Sequence, residues 1–247
     1  MKKTKIYFAS DFHLGYPNIK ESHKREKKIV KWLDYIQKDA KAIYLIGDIF
    51  DFWFEYKKVV PKGFIRILGK IANLTDNGTE VHIFAGNHDL WMKDYLKQEI
   101  GVSIHNRNII INEQNKELFI GHGDGLGNGD FLYKFLRKVF ASTICQWLFS
   151  RIHPNLALTL AHTWSRSSGK KRGKNEFISN ERELLYGYCK KSQNNYPVDF
   201  YIFGHRHLPL EINIDSRARY INTGDWLSHF TYAILENGEI QITDFNK

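Results

Sequence analysis

The sequence predicts an α/β fold in which parallel strands joined by helices form one layer, a second sheet lies against it, and a helical insertion interrupts the chain. Three observations predict it. Short apolar runs alternate with helical periodicity as far as Asp89, closely spaced apolar runs recur later, and the strand pattern disappears between residues 123 and 198.

Ile6-Tyr7-Phe8-Ala9 reads as the first buried strand, and residues 24 to 38 then place Ile29, Val30, Leu33 and Ile36 at helical spacing. Ile43-Tyr44-Leu45-Ile46 is the second strand. Residues 63 to 74 carry Phe64, Ile67, Leu68, Ile71 and Leu74 on a second helix, followed by the strand Val81-His82-Ile83-Phe84-Ala85. Strands separated by helices pair in parallel. The runs 108 to 111, 117 to 120, 209 to 214, 218 to 221 and 231 to 235 are closely spaced and predict a second, largely antiparallel sheet, while Phe200-Tyr201-Ile202-Phe203 reads as a further buried strand.

With 247 residues and 43% hydrophobic side chains, the chain can bury a substantial core. Its net charge of +9 is uneven, because residues 131 to 192 hold twelve lysines and arginines against Glu176, Glu181 and Glu183. An anionic partner is expected near that segment. Cys145 and Cys189 match no zinc spacing and no disulfide framework, and the start Met1-Lys2-Lys3-Thr4 reaches a strand without an apolar signal segment. A reduced, cytoplasmic setting is expected.

The insertion reads as helical. Phe131, Leu132, Phe135, Leu136, Val139 and Phe140 recur at helical spacing and Trp147, Leu148 and Phe149 follow, but only residues 139 to 150 are free of charge, about half of what a bilayer crossing needs. Such a face can pack into a core, lie on an anionic membrane, or line a lipid pocket. Ser165-Arg166-Ser167-Ser168-Gly169, followed by Lys170-Lys171-Arg172-Gly173-Lys174, has the composition of a loop, either a solvated surface or a clamp for phosphates.

Five clusters carry the chemistry: Asp11-Phe12-His13, Gly47-Asp48-Ile49-Phe50-Asp51, Gly86-Asn87-His88-Asp89, Gly121-His122 and Gly204-His205-Arg206-His207. Each follows an apolar run, so each falls at the carboxyl end of a strand, where α/β sheets collect their ligands. Any one alone is weak, since an aspartate at a strand end is often a turn former. Together they offer four histidines, two aspartates and an asparagine. Carboxylate and imidazole donors without cysteine suit manganese, iron or zinc, and two such ions close together support attack by water on phosphorus. His23, His82, His105, His153, His162 and His229 lie outside the clusters and read as structural or surface residues.

In this order and spacing the clusters resemble the calcineurin-like metallophosphoesterase superfamily over residues 11 to 207. The resemblance implies a layered β-sandwich of mixed sheets flanked by helices. It assigns Asp11, His13 and His207 to one metal, Asn87, His122 and His205 to the other, and Asp48 as a bridge, with manganese preferred and iron or zinc as alternatives. His88 is placed to donate to a phosphoryl or leaving-group oxygen. Asp89 is expected to orient the His88 ring, and Asp51 to support a ligand histidine such as His13.

Within that superfamily the chain resembles the UDP-2,3-diacylglucosamine pyrophosphohydrolases of bacterial lipid A synthesis in its length, its helical insertion and the stretch Gly121-His122-Gly123-Asp124. The resemblance divides the chain into a core, 1–122 and 199–247, and a substrate-binding lid, 123–198. It implies head-group contacts from Asn87, His88, Asp130, Tyr133, Ser167, Lys171, Lys174 and His205, and an acyl groove lined by Phe131, Leu132, Phe135, Leu136, Phe140, Trp147 and Leu148. Peripheral attachment to the cytoplasmic face of the inner membrane and a monomeric state are further expectations. Two departures stand out: His88 occupies a position where many members carry arginine, and lysine replaces asparagine at one lid position. The alternative is another metallophosphodiesterase, acting on a nucleotide-linked lipid or on nucleic acid; the basic lid suggests a nuclease, but the helical spacing of the lid aromatics suits a buried face more than a base-stacking groove. A binding scaffold that had lost catalysis would lack ligands, and none is missing.

Overall fold

The computed structural model describes residues 3–127, 131–170, 179–180 and 183–246. In chain order the core elements are β1 (Lys5–Ala9), α1 (Ile19–Ile36), β2 (Ala40–Leu45), α2 (Ile65–Asp76), β3 (Glu80–Phe84), α3 (Tyr95–Ile100), β4 (Ser103–His105), β5 (Ile109–Glu113) and β6 (Lys116–Ile120). Four helices follow, α4 (Phe131–Ala141), α5 (Thr143–Phe149), α6 (Pro154–Lys170) and α7 (Leu184–Gln193), and then β7 (Phe200–Phe203), β8 (Pro209–Asn213), β9 (Arg219–Thr223), β10 (Thr231–Glu236) and β11 (Glu239–Asp244).

The strands form two sheets, ordered β11-β10-β1-β2-β3-β4 and β5-β6-β7-β9-β8. Side-chain alternation sorts each central strand between two cores. Ile6 and Phe8 of β1 and Tyr44 of β2 meet Leu118, Ile120, Ile202 and Ile221 between the sheets. Tyr7, Ile43 and Leu45 face the other way, onto Trp32, Leu33 and Ile36 of α1 and Ile67, Ile71 and Leu74 of α2. A third cluster, built on Leu185, Cys189, Tyr201, Phe203 and Tyr220, packs α7 against the outer face of the second sheet. The result is the helix-flanked sandwich of mixed sheets, with layers in the order helix, sheet, sheet, helix.

Four details depart from the expectations. β10 does not join the second sheet but pairs antiparallel with β1, Phe8 opposite Ala233. The second sheet is mixed, because β6–β7 and β7–β9 are parallel while β5–β6 and β8–β9 are antiparallel. The long helical excursion between β6 and β7 supplies the crossover that parallel pairing requires. Residues 165 to 170 continue α6 rather than forming a loop. Pro154 opens that helix at a position where its missing N–H costs nothing, and once propagating, a helix tolerates serines of middling propensity. Similarly, α1 begins earlier than its apolar stripe because the Asn18 side chain accepts from the Glu21 amide, 3.0 Å, and caps it.

Of the inserted helices, α4 and α5 lie against the mouth of the sandwich. Phe149 of α5 packs on Trp91, with ring centroids 4.7 Å apart, and on Phe54, 4.8 Å, while the Trp91 indole donates to the Phe140 carbonyl of α4, 2.7 Å. No helix among the described residues is long and apolar enough to cross a membrane.

Candidate active site

All five clusters converge at the carboxyl ends of β1, β2, β3, β6 and β7. The loops that deliver them are strained. Asp11, His13, Asp48, His205 and His207 all have φ between 42° and 66°, in the left-handed region that side chains other than glycine rarely enter. Glycine is needed where these loops crowd one another: a Cβ on Gly86 would collide with the Asp48 carboxylate, and one on Gly204 with Ser10 and Asp11.

Asp11 and Asp48 are buried between the imidazoles. His13 Nε2 lies 3.7 Å from Asp11 and 3.6 Å from Asp48, His207 Nε2 is 3.3 Å from Asp11, and His122 Nε2 is 3.5 Å from Asp48. Asn87 Oδ1 faces His122 Nε2 at 3.2 Å, and the His205 ring sits edge-on to His122 with centroids 5.2 Å apart. The His122 tautomer is set from behind, since Nδ1 donates to the Ile46 carbonyl at 2.8 Å and leaves Nε2 toward the carboxylates.

This cluster is built for positive charge. Burial alone would raise the carboxyls of Asp11 and Asp48, yet the surrounding imidazoles hold both below the ordinary range. Burial likewise opposes charge on His122, and Asp48 beside it nonetheless pushes its pKa well up. Asp11 Oδ1 is buried without a hydrogen bond. Three sets of donor atoms come close enough to share an ion: Asp11 with His13 and His207, Asp11 with Asp48 and His122, and His13 with Asp51 and His88. Nitrogen and oxygen donors of this kind fit divalent transition metals.

Further carboxylates brace the imidazoles from outside. Asp51, expected behind His13, in fact stands behind two rings: its Oδ1 is 3.6 Å from His13 Nδ1 and 3.6 Å from His88 Nδ1, and its carbonyl accepts from His88 Nδ1 at 3.0 Å. Asp225 accepts from His207 Nδ1 at 3.2 Å and from His229 Nδ1 at 3.2 Å. The sequence reading missed Asp225, although Asn222-Thr223-Gly224-Asp225 closes β9 in the same strand-then-glycine pattern as the other clusters. It also left His229 aside.

Asp89 does different work from that expected. Instead of orienting His88, its carboxylate accepts from the backbone amides of Gly86, Ile49, Phe50 and Asp48, at 2.7, 2.7, 3.2 and 3.2 Å. It clamps the two loops that carry Asp48 and Asn87. Burial and the neighbouring Asp48 push its carboxyl up to about 7 against the pull of those amides.

Beside the cluster a cavity of about 430 Å³ runs between core and insertion. Asp51, Asn87 and His88 form its polar end, and Trp91, Leu136, Phe140, Phe149 and Leu160 are part of its apolar wall. Tyr133 also lines it, its hydroxyl donating to Asp124 at 2.8 Å. The groove expected from one helical stripe is split in two. Leu136 and Phe140 face the cavity, whereas Phe131, Phe135, Trp147 and Leu148 are 83, 63, 56 and 57% exposed. Ser167 lies on α6, while Asp130, Lys171 and Lys174 fall outside the described residues.

Residues 4–209 match the family model for calcineurin-like phosphoesterases. The chain is 39% identical over 248 residues to a UDP-2,3-diacylglucosamine hydrolase of Porphyromonas gingivalis, covering 95% of each chain. It is 26% identical to the protein of the same name from Actinobacillus succinogenes, over 94% of this chain and 95% of that one. With its strand-end donor cluster and this match across most of its length, the chain belongs to the calcineurin-like phosphoesterase family.

Proposed function

We propose that this protein hydrolyses the diphosphate of UDP-2,3-diacylglucosamine by attack of water at the α-phosphate, releasing UMP and 2,3-diacylglucosamine 1-phosphate (lipid X). The observation that carries the reading is the cavity: it joins the donor cluster at Asn87 and His88 to an apolar wall under the lid. A phosphodiesterase of small polar substrates has no use for such a wall. An acyl chain does, gaining roughly 0.8 kcal/mol for each methylene it buries. Relatives at 39 and 26% identity that carry the name of this activity support the assignment.

In this reading Asp11, His13 and His207 would hold one divalent ion, Asn87, His122 and His205 would hold a second, and Asp48 would contribute as their shared ligand. Manganese is preferred, with iron or zinc as alternatives. When bound, such a pair lowers the pKa of a water and draws charge from phosphoryl oxygens. The chain's own groups then orient and protonate. With Nδ1 held by Asp51, His88 would donate from Nε2 to the phosphoryl or leaving-group oxygen. Asp89 acts on catalysis through the loops it clamps. Asn87, His88, Tyr133 and His205 meet the head group, joined by Asp130, Ser167, Lys171 and Lys174 from the lid.

The lid segment 123–198 acts as the substrate-binding unit on a core made of 1–122 and 199–247. Its outer surface suits a bilayer: Phe131, Phe135, Ile144, Trp147 and Leu148 are exposed near Lys134, Lys138 and Arg151, an arrangement that favours an anionic leaflet. The protein thus works as a monomer at the cytoplasmic face of the inner membrane, drawing its lipid substrate from that leaflet. Mass spectrometry of the products formed by manganese-loaded protein from UDP-2,3-diacylglucosamine tests the reading. Equimolar UMP and lipid X are expected, and an untouched substrate in the presence of phosphodiesterase activity would refute it.

A further inference from the structure

The lid cavity contains one side chain that its apolar wall does not explain. Among the described residues that line it, Arg137 is the sole arginine or lysine. Its Nε donates to the carboxylate of Asp124, and the guanidinium also interacts with the Tyr133 hydroxyl. The side chain is one-third exposed, its partner carboxylate 3%.

A guanidinium in such a place is costly unless something uses it. Taking the charge out of water carries a penalty that a single carboxylate contact does not always repay, and an apolar residue of similar volume would serve an apolar pocket at least as well. Burial works against the charged form of Arg137, but Asp124 overrides it and pushes the pKa up, so the cation persists at the cavity wall. Anchored to Asp124 through Nε, the guanidinium presents its Nη donors in a planar fork matched to phosphate oxygens.

The placement is specific. Asp124 is two residues beyond His122 and is itself buried, so it fixes Arg137 relative to the donor cluster. The same carboxylate oxygen takes the hydroxyl of Tyr133, one helical turn earlier on α4. Arg137 therefore shares the cavity with Asn87 and His88, the residues that a diphosphate must approach.

We propose that Arg137 contacts the diphosphate of the substrate from the lid side, with Asp124 as the residue that positions it. This rests on the substrate class proposed above. The competing role is a staple that merely fastens α4 to the loop after His122, and the two separate by experiment.

Arg137→Met and Arg137→Lys are compared with wild type in three measurements. These are kcat and KM on UDP-2,3-diacylglucosamine, kcat/KM on bis(p-nitrophenyl) phosphate, and the calorimetric Kd of UDP with manganese-loaded protein. Arg137→Met is expected to raise the Kd of UDP by roughly 10- to 100-fold, the range for charge-assisted hydrogen bonds. Its loss on the UDP-lipid should exceed its loss on the small diester by a similar factor and fall mainly on KM. Arg137→Lys keeps the charge without the fork and should lie between; it also keeps the test alive if the methionine variant does not fold. An unchanged Kd for UDP with equal losses on both substrates would overturn the proposal and leave the staple. If wild type does not hydrolyse the UDP-lipid, the substrate reading falls, while the UDP titration still decides whether Arg137 is an anion contact.

Discussion

Filling the lid cavity should penalise long acyl chains and spare short ones. Ala161 lines the cavity from α6, as do Leu160 of that helix and Leu136 and Phe140 of α4. Ala161→Phe places a ring in a space of about 430 Å³ that the proposed function gives to acyl chain. If the ring displaces about three methylenes at roughly 0.8 kcal/mol each, transition-state binding weakens by about 2.4 kcal/mol, or about 60-fold in kcat/KM. The assay compares kcat/KM across UDP-2,3-diacylglucosamines of decreasing acyl length, using bis(p-nitrophenyl) phosphate as the reference without acyl chains. The penalty should shrink as the chains shorten and vanish once they no longer reach Ala161. A loss of equal size on every substrate would mean that the ring disturbs the lid as a whole, and the cavity would not be the acyl site.

Other perturbations address the metal-binding and catalytic groups and the fold. Asp48→Ala or His122→Ala should remove bound metal, measured by inductively coupled plasma mass spectrometry, together with most turnover; full activity in either would rule out the donor cluster as the reaction centre. His88→Ala should retain metal and slow turnover by roughly 10² to 10⁴, the span typical of a lost general acid. Metal loss there would instead make His88 a ligand. The pair His82 and His105, with Nδ1 and Nε2 3.0 Å apart and His82 stacked on Tyr44, has its pKa values lowered mainly by burial, despite Glu80 beside His82. The unfolded chain then binds protons that the folded pair refuses, so stability should fall as pH drops below the ordinary histidine value of about 6.5. His105→Gln should flatten that fall in Tm between pH 7 and pH 5, and an unchanged slope would show that other groups govern it.

The donor cluster was legible in the sequence because each member sits two to four residues past the end of a buried strand, and a strand end fixes position with little help from the rest of the fold. Asp48 after β2 and His122 after β6 needed only local pattern to be placed. Asp225 followed the same rule and was overlooked for want of a neighbouring histidine in sequence. What resisted reading depended on tertiary choices. Whether Phe135 or Leu136 faces the cavity is set by the rotation of α4, and an apolar stripe broad enough to cover both sides does not reveal it. The partner of β10 was missed for a related reason, since adjacency in sequence suggested β9 while the hydrogen bonds go to β1, more than 220 residues upstream. Asp89 shows the same limit at a single residue: the motif placed it beside His88, but only the fold reveals that its carboxylate is occupied by four backbone amides.

Hydrolysis of UDP-2,3-diacylglucosamine in ¹⁸O-labelled water, by manganese-loaded protein in a single turnover, tests the central chemistry most directly. With water attacking the α-phosphate beside Asn87 and His88, one ¹⁸O atom should appear in UMP and none in lipid X. Label in lipid X, or cleavage of bis(p-nitrophenyl) phosphate with the UDP-lipid left intact, would contradict it.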